Sequence, residues 1–396
     1  MGRGKRNNAM RDAPNTPDTP DEPGFSYTSY PQRIVFAAGA LGQLGAESER
    51  FGWWRVLLCT TGSQRRAGRV DAVAAALGMR LAAVYDAIQP HVPAAQVDAA
   101  VALATEHGID AALALGGGSA IGTAKAIAAA LSDRAPDRPP VAVAAIPTTY
   151  AGSEMTPVYG VTRTGEDGAA RKVTTTDPRV APRLILYDPL LTLDLPRELT
   201  AGTGINALAH CLEALYSLTR NPLSSAAARA GIRAIVHALP HCVADGGDAA
   251  ARAEMLEGAY LAGTALASVS MALHHGLCHV LGGSAGVPHG AANAIILPHA
   301  LRFNAEAAAP QLADAAEAMG LPVAGLPEDV AAGRAVAFVD DFIAGLGLPR
   351  RLREVGVAEG DLPRLAALAF QSRTVHSNPR PITDAARIET LLRAAW

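Results

Sequence analysis

The chain has 396 residues, which is too long for one ordinary core and predicts about two domains of the usual size. Apolar residues make up 49% and charged residues 18%, a balance typical of a globular protein and not of a disordered one. The formal net charge of −3 gives no general attraction to nucleic acid or to an anionic membrane surface, so neither is a predicted partner.

Residues 1–24 are basic, then acidic, and rich in Pro, Asn and Asp, without the apolar core of a secretory signal. We interpret them as a disordered extension. The four cysteines are scattered with no CxxC pair, which argues against a disulfide framework and against a thiolate zinc site. No stretch of about 20 residues is apolar enough to span a bilayer. These features predict a cytoplasmic protein.

Residues 25–189 alternate short apolar runs with Ala-rich helical stretches, the pattern of a parallel sheet covered by helices. The predicted strands are Trp54–Cys59, Leu81–Val84, Ala111–Leu115, Val141–Ile146 and Leu184–Tyr187. Helices are predicted over Gly68–Leu77 and Ala94–His107. We therefore predict an N-terminal, Rossmann-like α/β domain that binds a dinucleotide.

After Pro189 the strand pattern ends, and helical periodicity punctuated by Pro and Gly takes over. The predicted helices are Ala201–Leu218, Ser224–Val243, Ala249–Leu281, Pro310–Met319 and Glu328–Leu346. Residues 190–396 are therefore predicted to form an all-α substrate and catalytic domain.

A glycine-rich turn follows the third predicted strand in Leu113–Lys125, whose sequence is LALGGGSAIGTAK. Glycines allow backbone N–H groups to approach a pyrophosphate, and a helix N-terminus adds partial positive charge. The alternative is a tight turn that binds nothing. Two further segments, Phe36–Gly45 and Ile146–Thr149, also follow strands or contain glycine turns. At the carboxyl edge of a parallel sheet all three segments can converge on one dinucleotide.

The residues after the first predicted strand, Thr60–Ser63, include no acidic side chain to bind a ribose 2′-hydroxyl. The coenzyme is therefore predicted to be NADH or NADPH, with no preference between them.

The second half carries spaced histidines. His210 lies four residues after Asn206, so the two share a helix face, and His275 and His279 are also four apart. A glycine-rich connection then leads to His289. This spacing can bring imidazoles from two helices and a loop to one point, as a metal ion or a polarised carbonyl requires. The alternative for each is a structural, partly buried histidine.

Taken together, the motifs resemble the iron-containing alcohol dehydrogenase and dehydroquinate synthase-like superfamily over residues 25–396. The matching segments, in the same order, are GGGSAIGTAK, IPTTYAGSEMTP, KVTTTDPRVAPRLILYDP, TGINALAHCLEALYS, HHGLCHVLGGSAGVPHG and NPRPIT. The resemblance implies an active site between the two domains and a homodimer. It also implies a coenzyme site. The pyrophosphate would be held by Gly116, Gly117, Gly118 and Ser119, and the rest of the coenzyme would be lined by Thr148, Thr149, Thr156 and Lys172.

In the metal-dependent members of this superfamily an Asp and three His hold the metal. The matching positions here are Asn206, His210, His275 and His289. An amide is a neutral, weak ligand, so the resemblance implies a degenerate site with low affinity for Fe²⁺ or Zn²⁺. We predict that no metal is required.

Asn206, the Tyr-containing PTTYAGSEMTP segment and the HH pair ahead of His279 are similar to the maleylacetate reductases of bacterial aromatic-compound catabolism. This similarity implies NAD(P)H-dependent reduction of the carbon-carbon double bond of maleylacetate, a dicarboxylate, to 3-oxoadipate. The implied enolate would accept hydrogen bonds from imidazoles such as those of the histidines at the degenerate site, and His279 or Tyr150 would deliver the proton. The basic candidates for the substrate carboxylates are Arg171, Lys172 and Arg380.

Two positions depart from the maleylacetate reductase pattern. Gly276 stands where a Lys often follows the HH pair, and Gly290 stands where an Ala often follows PH. Three alternatives therefore stay open: a metal-dependent alcohol or aldehyde dehydrogenase, a dehydroquinate synthase-like cyclase, and a nucleotide-binding protein without turnover.

Overall fold

The computed structural model describes residues 24–164 and 170–396, so the predicted extension lies outside the described residues except for Gly24. The strands are β1 Arg33–Phe36, β2 Val56–Cys59, β3 Leu81–Tyr85, β4 Ala111–Gly116, β5 Ala142–Pro147, β6 Val158–Thr164, β7 Ala170–Thr176 and β8 Leu184–Tyr187. The helices before β8 are α1 Leu44–Arg50, α2 Gly62–Arg66, α3 Arg69–Leu77, α4 Ala94–Glu106 and α5 Gly118–Arg134. Those after β8 are α6 Arg197–Tyr216, α7 Pro222–Ala244, α8 Ala249–Ser268, α9 Leu273–Ala285, α10 His289–Asn304, α11 Ala309–Ala318, α12 Glu328–Leu346, α13 Leu362–Phe370, α14 Arg373–His376 and α15 Ala385–Ala395.

Six strands form one parallel sheet in the order β1-β8-β5-β4-β2-β3. Strands β2, β4 and β8 are buried along their whole length, as expected for apolar strands with helices on both faces. The remaining strands, β6 and β7, form an antiparallel hairpin outside this sheet. The predicted α/β part with a parallel sheet and the helical second half are confirmed.

Strand order reverses between β2 and β4. From β2 the chain moves outward to β3 at one edge of the sheet, then returns to β4 and continues to β5 on the other side. The connections after β2 and β4 therefore leave in opposite directions and open a crevice at the carboxyl edge, where ligands of such sheets bind.

The predicted strand over Trp54–Cys59 is two residues too long at its start. The carboxylate of Asp110 accepts hydrogen bonds from the backbone N–H groups of Trp54 and Arg55, at 2.8 and 3.1 Å. These bonds hold both residues in the turn before β2, so the ladder begins only at Val56.

Helix α6 is the centre of the helical part. It packs against α7, α8, α10 and α11, and nearly every residue from Thr200 to Tyr216 is buried. Because apolar and small residues surround this helix, its few polar side chains are placed in the interior, where each needs a partner.

The predicted helix Ala249–Leu281 is wrong, because the structure breaks it into α8 and α9. Val269 is extended, and the carboxylate of Glu213 accepts from the backbone N–H groups of Ala272 and His274 at the start of α9. The two helices meet at a bend of 99°. In the described part of the chain no single helix is long and apolar enough to cross a membrane, and only this bent pair passes that test jointly.

Candidate active site

The glycine-rich turn joins β4 to the N-terminus of the 17-residue helix α5. Gly116 has a φ of +145°, which disfavours any side chain, and a Cβ on Gly117 would lie 2.9 Å from Oγ1 of Thr149. The bare backbone therefore meets the end of β5 at a helix N-terminus. These features fit a pyrophosphate, which the N–H groups and the helix dipole would hold.

Two of the predicted threonines border this turn. Thr148 donates its N–H to the carbonyl of Gly116 at 3.1 Å, and its hydroxyl accepts from Nε2 of Gln64 in α2 at 3.2 Å. Thr149 is half-buried beside Gly117. The turns after β4 and β5 therefore meet at the crevice, and Gln64 brings the turn after β2 to the same place. That Phe36–Gly45 also converges on a dinucleotide here stays a prediction.

The segment Phe36–Gly45 lies at the other edge of the sheet. Gly39 and Leu41 donate their N–H groups to the carboxylate of Asp188, which follows β8, at 3.0 and 3.1 Å. Asp188 is buried and fixes this turn at the carboxyl ends of β1 and β8. The turn is thereby anchored to the end of β8.

A buried lysine that the sequence analysis did not single out holds residues 148–157, which connect β5 to β6 and are called the β5 loop below. Nζ of Lys125, in α5, donates to the carbonyl oxygens of Ser153, Thr156 and Val158 at 2.6, 2.7 and 3.0 Å. Burial lowers the pKa of Lys125 to about 7, although the negative charge of Glu154 acts to raise this pKa. Three carbonyl acceptors call for three N–H donors, which only the ammonium form has.

The remaining predicted coenzyme residues lie outside the glycine turn. The buried hydroxyl of Thr156 is 3.4 Å from Nζ of Lys125, so this side chain faces α5. Lys172 belongs to β7, and its side chain lies outside the described part of the structure, as does that of Arg171.

Four predicted histidines form a row. The ring centroids of His210 and His275 are 4.5 Å apart and stacked, those of His275 and His279 are 6.4 Å apart, and those of His279 and His289 are 6.2 Å apart. His210 and His275 are buried, whereas His279 and His289 are exposed. We call these four residues the histidine row; it leads from the interior to the surface.

The buried end of the histidine row lies under the β5 loop. The φ of Gly152 is +76°, a conformation that favours glycine, and a Cβ at this position would lie in van der Waals contact with Nδ1 of His210, at 3.5 Å. Asn206, one turn before His210, donates from Nδ2 to the carbonyl of Ala151 at 3.3 Å. The β5 loop therefore contacts both the glycine turn and the histidine row.

Glu213 is a fully buried carboxylate that the sequence analysis missed. Its Oε2 atom lies 2.6 Å from Nδ1 of His275, and it also accepts the two N–H groups at the start of α9. Asn206, His210 and Glu213 are spaced i, i+4 and i+7, so a search along one face of α6 could have found it.

Burial controls the charge of this cluster. It lowers the pKa of His210 and His275 well below the usual histidine value, and neighbouring imidazoles lower both further. Burial also raises the pKa of Glu213, while His274 and backbone N–H groups act in the opposite direction. The two inner histidines are therefore neutral at pH 7.

The structure does not bring Tyr150 into the histidine row. Its hydroxyl is fully buried and accepts from Nη1 of Arg252 at 3.0 Å, and Arg252 also donates to Thr200 at 2.9 Å. Burial raises the pKa of Tyr150, although Arg252 opposes the change. This side chain anchors the β5 loop to α8.

Known protein families match the chain over most of its length. The profile of iron-containing alcohol dehydrogenases matches residues 31–189, and that of the C-terminal part of the Fe-containing alcohol dehydrogenase family matches residues 200–396. A maleylacetate reductase of Sphingobium indicum is 39% identical over 370 residues, which are 93% of this chain and 97% of the relative. The chain belongs to the iron-containing alcohol dehydrogenase family.

Solved structures of similar proteins agree with this membership. Maleylacetate reductase from Agrobacterium tumefaciens is 39% identical, with a TM-score of 0.82 over 95% of this chain and 99% of that one. A 1,3-propanediol oxidoreductase is 31% identical, with a TM-score of 0.87 over 94% of this chain and 100% of that one. This member of the iron-containing alcohol dehydrogenase family is thus an oxidoreductase, and the family implies a nicotinamide coenzyme and a small-molecule substrate.

The residues of this chain differ in two respects from the metal-binding donor set that the family resemblance implies. At the position of the acidic ligand stands Asn206, whose amide nitrogen is engaged by Ala151. Without a carboxylate, the donor set has no charge to compensate a divalent cation.

The second respect is the arrangement of the imidazoles. Among the described residues, the group of three whose ligand atoms all lie within 4.8 Å of one another is Glu213, His274 and His275. Hydrogen bonds already join these three side chains and the backbone. His210, His275 and His289 do not approach one another this closely as a set. The residues therefore do not fit a tightly held ion.

Close packing accounts for both glycines that depart from the maleylacetate reductase pattern. A Cβ on Gly276 would lie 2.5 Å from Cγ2 of Val375 in α14, and one on Gly290 would lie 2.9 Å from the Cα of Gly202 in α6. Arg380 donates to the carbonyl of Phe303 at 2.9 Å and lies over its ring. In this member of the iron-containing alcohol dehydrogenase family, α14 fills the volume next to residue 276 and leaves no room for a lysine there.

Proposed function

We propose that the protein reduces the carbon-carbon double bond of maleylacetate to 3-oxoadipate with NADH or NADPH. The observation that carries the proposal is the position of the histidine row. The amide of Asn206 lies one turn before His210, at the buried end of the row, and the β5 loop contacts both the row and the glycine turn. The name maleylacetate reductase, borne by relatives about 39% identical over most of the chain, supports the same substrate.

The coenzyme would lie on the carboxyl edge of the sheet. The N–H groups of Gly116, Gly117, Gly118 and Ser119 would hold its pyrophosphate, and Thr148 and Thr149 would border it. When bound, the reduced nicotinamide supplies a hydride.

The substrate ketone is conjugated to the double bond, so a hydride added at the carbon β to the ketone leaves an enolate. In the proposed reaction, His279 and His289 donate hydrogen bonds to the enolate oxygen; their position at the exposed end of the histidine row supports this role. A proton added at the α carbon completes the reaction. We assign that proton to His279, because the hydroxyl of Tyr150 is fully buried against Arg252.

We propose that no metal takes part. The donors offered to the enolate are N–H groups, and Asn206 ties α6 to the β5 loop instead of compensating a cation. We also propose that the protein works as a homodimer in the cytoplasm. The coenzyme preference stays undecided.

The test is turnover of freshly prepared maleylacetate by purified, chelator-treated protein with NADH or NADPH. Nicotinamide absorbance gives the rate, mass spectrometry identifies the product, and metal analysis covers the same sample. Formation of 3-oxoadipate by metal-free protein is the expected result. Activity that returns only with Fe²⁺ or Zn²⁺ would overturn the metal-free part, and activity on alcohols or aldehydes alone would overturn the substrate.

A further inference from the structure

Glu213 occupies a position where three N–H groups meet. Its side chain is fully buried, Oε1 accepts from the N–H of His274 at 2.9 Å, and Oε2 accepts from the N–H of Ala272 at 3.3 Å and lies 2.6 Å from Nδ1 of His275. Ala272 is the N-cap of α9 and has no capping side chain of its own. Glu213 supplies the cap from α6.

His274 also offers a hydrogen-bond acceptor to Nδ1 of His275. Nε2 of His274 lies 3.2 Å from the carbonyl oxygen of Asn293, which can only accept, so the proton of His274 is on Nε2. Nδ1 of His274 is then a lone pair, and it lies 3.3 Å from Nδ1 of His275.

Nδ1 of His275 therefore lies between two acceptors, a carboxylate oxygen and an imidazole lone pair, and must carry the proton. Nε2 of His275 is buried and has no hydrogen-bond partner among the described residues. In the neutral ring this atom is an acceptor aimed away from Glu213.

We infer that Glu213 is a positioning residue that fixes the His275 proton on Nδ1 and presents Nε2 to the site as a hydrogen-bond acceptor. Nε2 then accepts from an O–H group of water or substrate, and hydrogen bonds to the enolate must come from other groups. The catalytic consequence rests on the proposed function, whereas the proton position does not.

The experiment uses chelator-treated, ¹⁵N-histidine-labelled protein, and His275→Asn identifies the His275 signals. In the wild type, ring ¹⁵N shifts should show a protonated Nδ1 and an unprotonated Nε2. Glu213→Gln puts an amide N–H₂ among three N–H donors, so it should populate the Nε2–H form. It should also lower kcat/KM for maleylacetate about 10- to 100-fold, the size of effect known for histidines at metal sites that lose such a partner.

Glu154→Gln is the matched control, because Glu154 is an equally buried carboxylate whose partner is the hydroxyl of Tyr187, at 2.9 Å. It should leave the His275 signals unchanged. If Glu213→Gln does not fold, Glu213→Asp keeps the charge, shortens the reach by one methylene and should still populate the Nε2–H form.

A wild-type His275 protonated on Nε2 would overturn the inference, as would a Glu213 variant that keeps both the wild-type tautomer and the wild-type kcat/KM. The ring signals are recorded without substrate. A wild type that fails to reduce maleylacetate would therefore remove the proposed function and leave the proton assignment intact.

Discussion

Asn206 carries a hydrogen bond that an aspartate could not form. Its Nδ2 atom donates to the carbonyl of Ala151, in the β5 loop, and a carboxylate at this position would oppose one oxygen with another. The amide thus connects α6 to the loop beside the proposed coenzyme site without adding a charge.

Asn206→Asp should therefore reduce stability and increase metal affinity together. Loss of the donor beside a buried carbonyl should lower the free energy of unfolding by about 1–3 kcal/mol in metal-free protein. Added Zn²⁺ should then raise Tm more in the variant than in the wild type, as thermal unfolding with and without the ion would show.

Asn206→Ala is the control for this prediction, because it removes the same hydrogen bond without adding a charge. It should lose stability and gain no response to Zn²⁺. An Asn206→Asp protein that Zn²⁺ stabilises no more than the wild type would contradict the argument.

The sequence located the site residues that lie in short motifs, and missed those defined by distant partners. The histidines stand at helical spacing, so it could be predicted that they lie near one another, but not that they form a row instead of meeting at one point. Lys125 binds a carbonyl group 28 residues away along the chain, which no local pattern contains. Glu213 shares a face of α6 with Asn206 and His210, but its partner His275 is 62 residues away and no local pattern shows that pairing. The predicted role of Tyr150 was wrong for the opposite reason. Its motif marks the loop correctly, but does not show that the hydroxyl faces Arg252.

Among the elements, the β5 loop depends on one side chain of α5. Lys125 binds the carbonyl groups of Ser153 and Thr156 in the loop and that of Val158 at the start of β6, so one ammonium group inside the protein holds the second half of the loop to α5. The same loop approaches His210 at Gly152. A change at Lys125 should therefore affect both the coenzyme side and the histidine side of the site.

Lys125→Met should lower the free energy of unfolding by about 3 kcal/mol or more, because it leaves three buried carbonyl groups without donors. The loosened loop should also weaken binding of NADH. Urea unfolding and a fluorescence titration with NADH measure the two effects. Full stability with unchanged NADH affinity would show that the loop does not depend on this lysine.

The close contact between α9 and α14 can be tested by substitution at Gly276. Gly276→Ala places a methyl group 2.5 Å from Val375 and should lower the free energy of unfolding by about 1–3 kcal/mol. Val375→Ala removes the opposing atom, so the double variant should recover part of that loss. Urea unfolding of the four proteins in this cycle gives the coupling between the two positions.

Gly283→Ala is the matched control, since Gly283 lies in the same helix with open space around its Cα. It should be neutral or stabilising by about 0.5–1 kcal/mol. A Gly276→Ala protein that behaves in the same way would show that α14 yields to the methyl group.

The fold was predictable where elements are apolar and regular. Helix α12 begins and ends as predicted, and five sheet strands were located to within about two residues. Strand β1 was missed because four residues at a sheet edge form too short a pattern, and β6 and β7 because a hairpin outside the main sheet lacks a long apolar run. The division of the chain at residue 189 remains a prediction.

At the scale of the whole molecule, buried histidines couple stability to pH. Burial lowers the pKa of His210, His274 and His275, and lowers that of His299 to about 4, where Arg302 adds to the effect. A base whose folded pKa lies below its unfolded pKa binds more protons when unfolded. Stability from these groups is therefore lost as pH falls below about 6.5, and for His299 the loss continues to about pH 4.

His299→Gln isolates one of these contributions. The variant should lose less unfolding free energy than the wild type between pH 7 and pH 4.5, by at most about 1.4 kcal/mol per pH unit. Urea unfolding across this range provides the measurement. Parallel stability curves for the two proteins would mean that His299 keeps its ordinary pKa in the fold.

The pairing of β1 with β8 has a consequence for biosynthesis. The first strand of the sheet finds its partner about 150 residues later in the chain, and it has no other neighbour in the sheet. At ordinary translation rates of roughly 5–20 residues per second, the emerging Arg33–Phe36 segment waits on the order of ten seconds or more for Leu184–Tyr187. Closure of the sheet is therefore a late, high-contact-order event of folding on the ribosome, after the central strands have all been made.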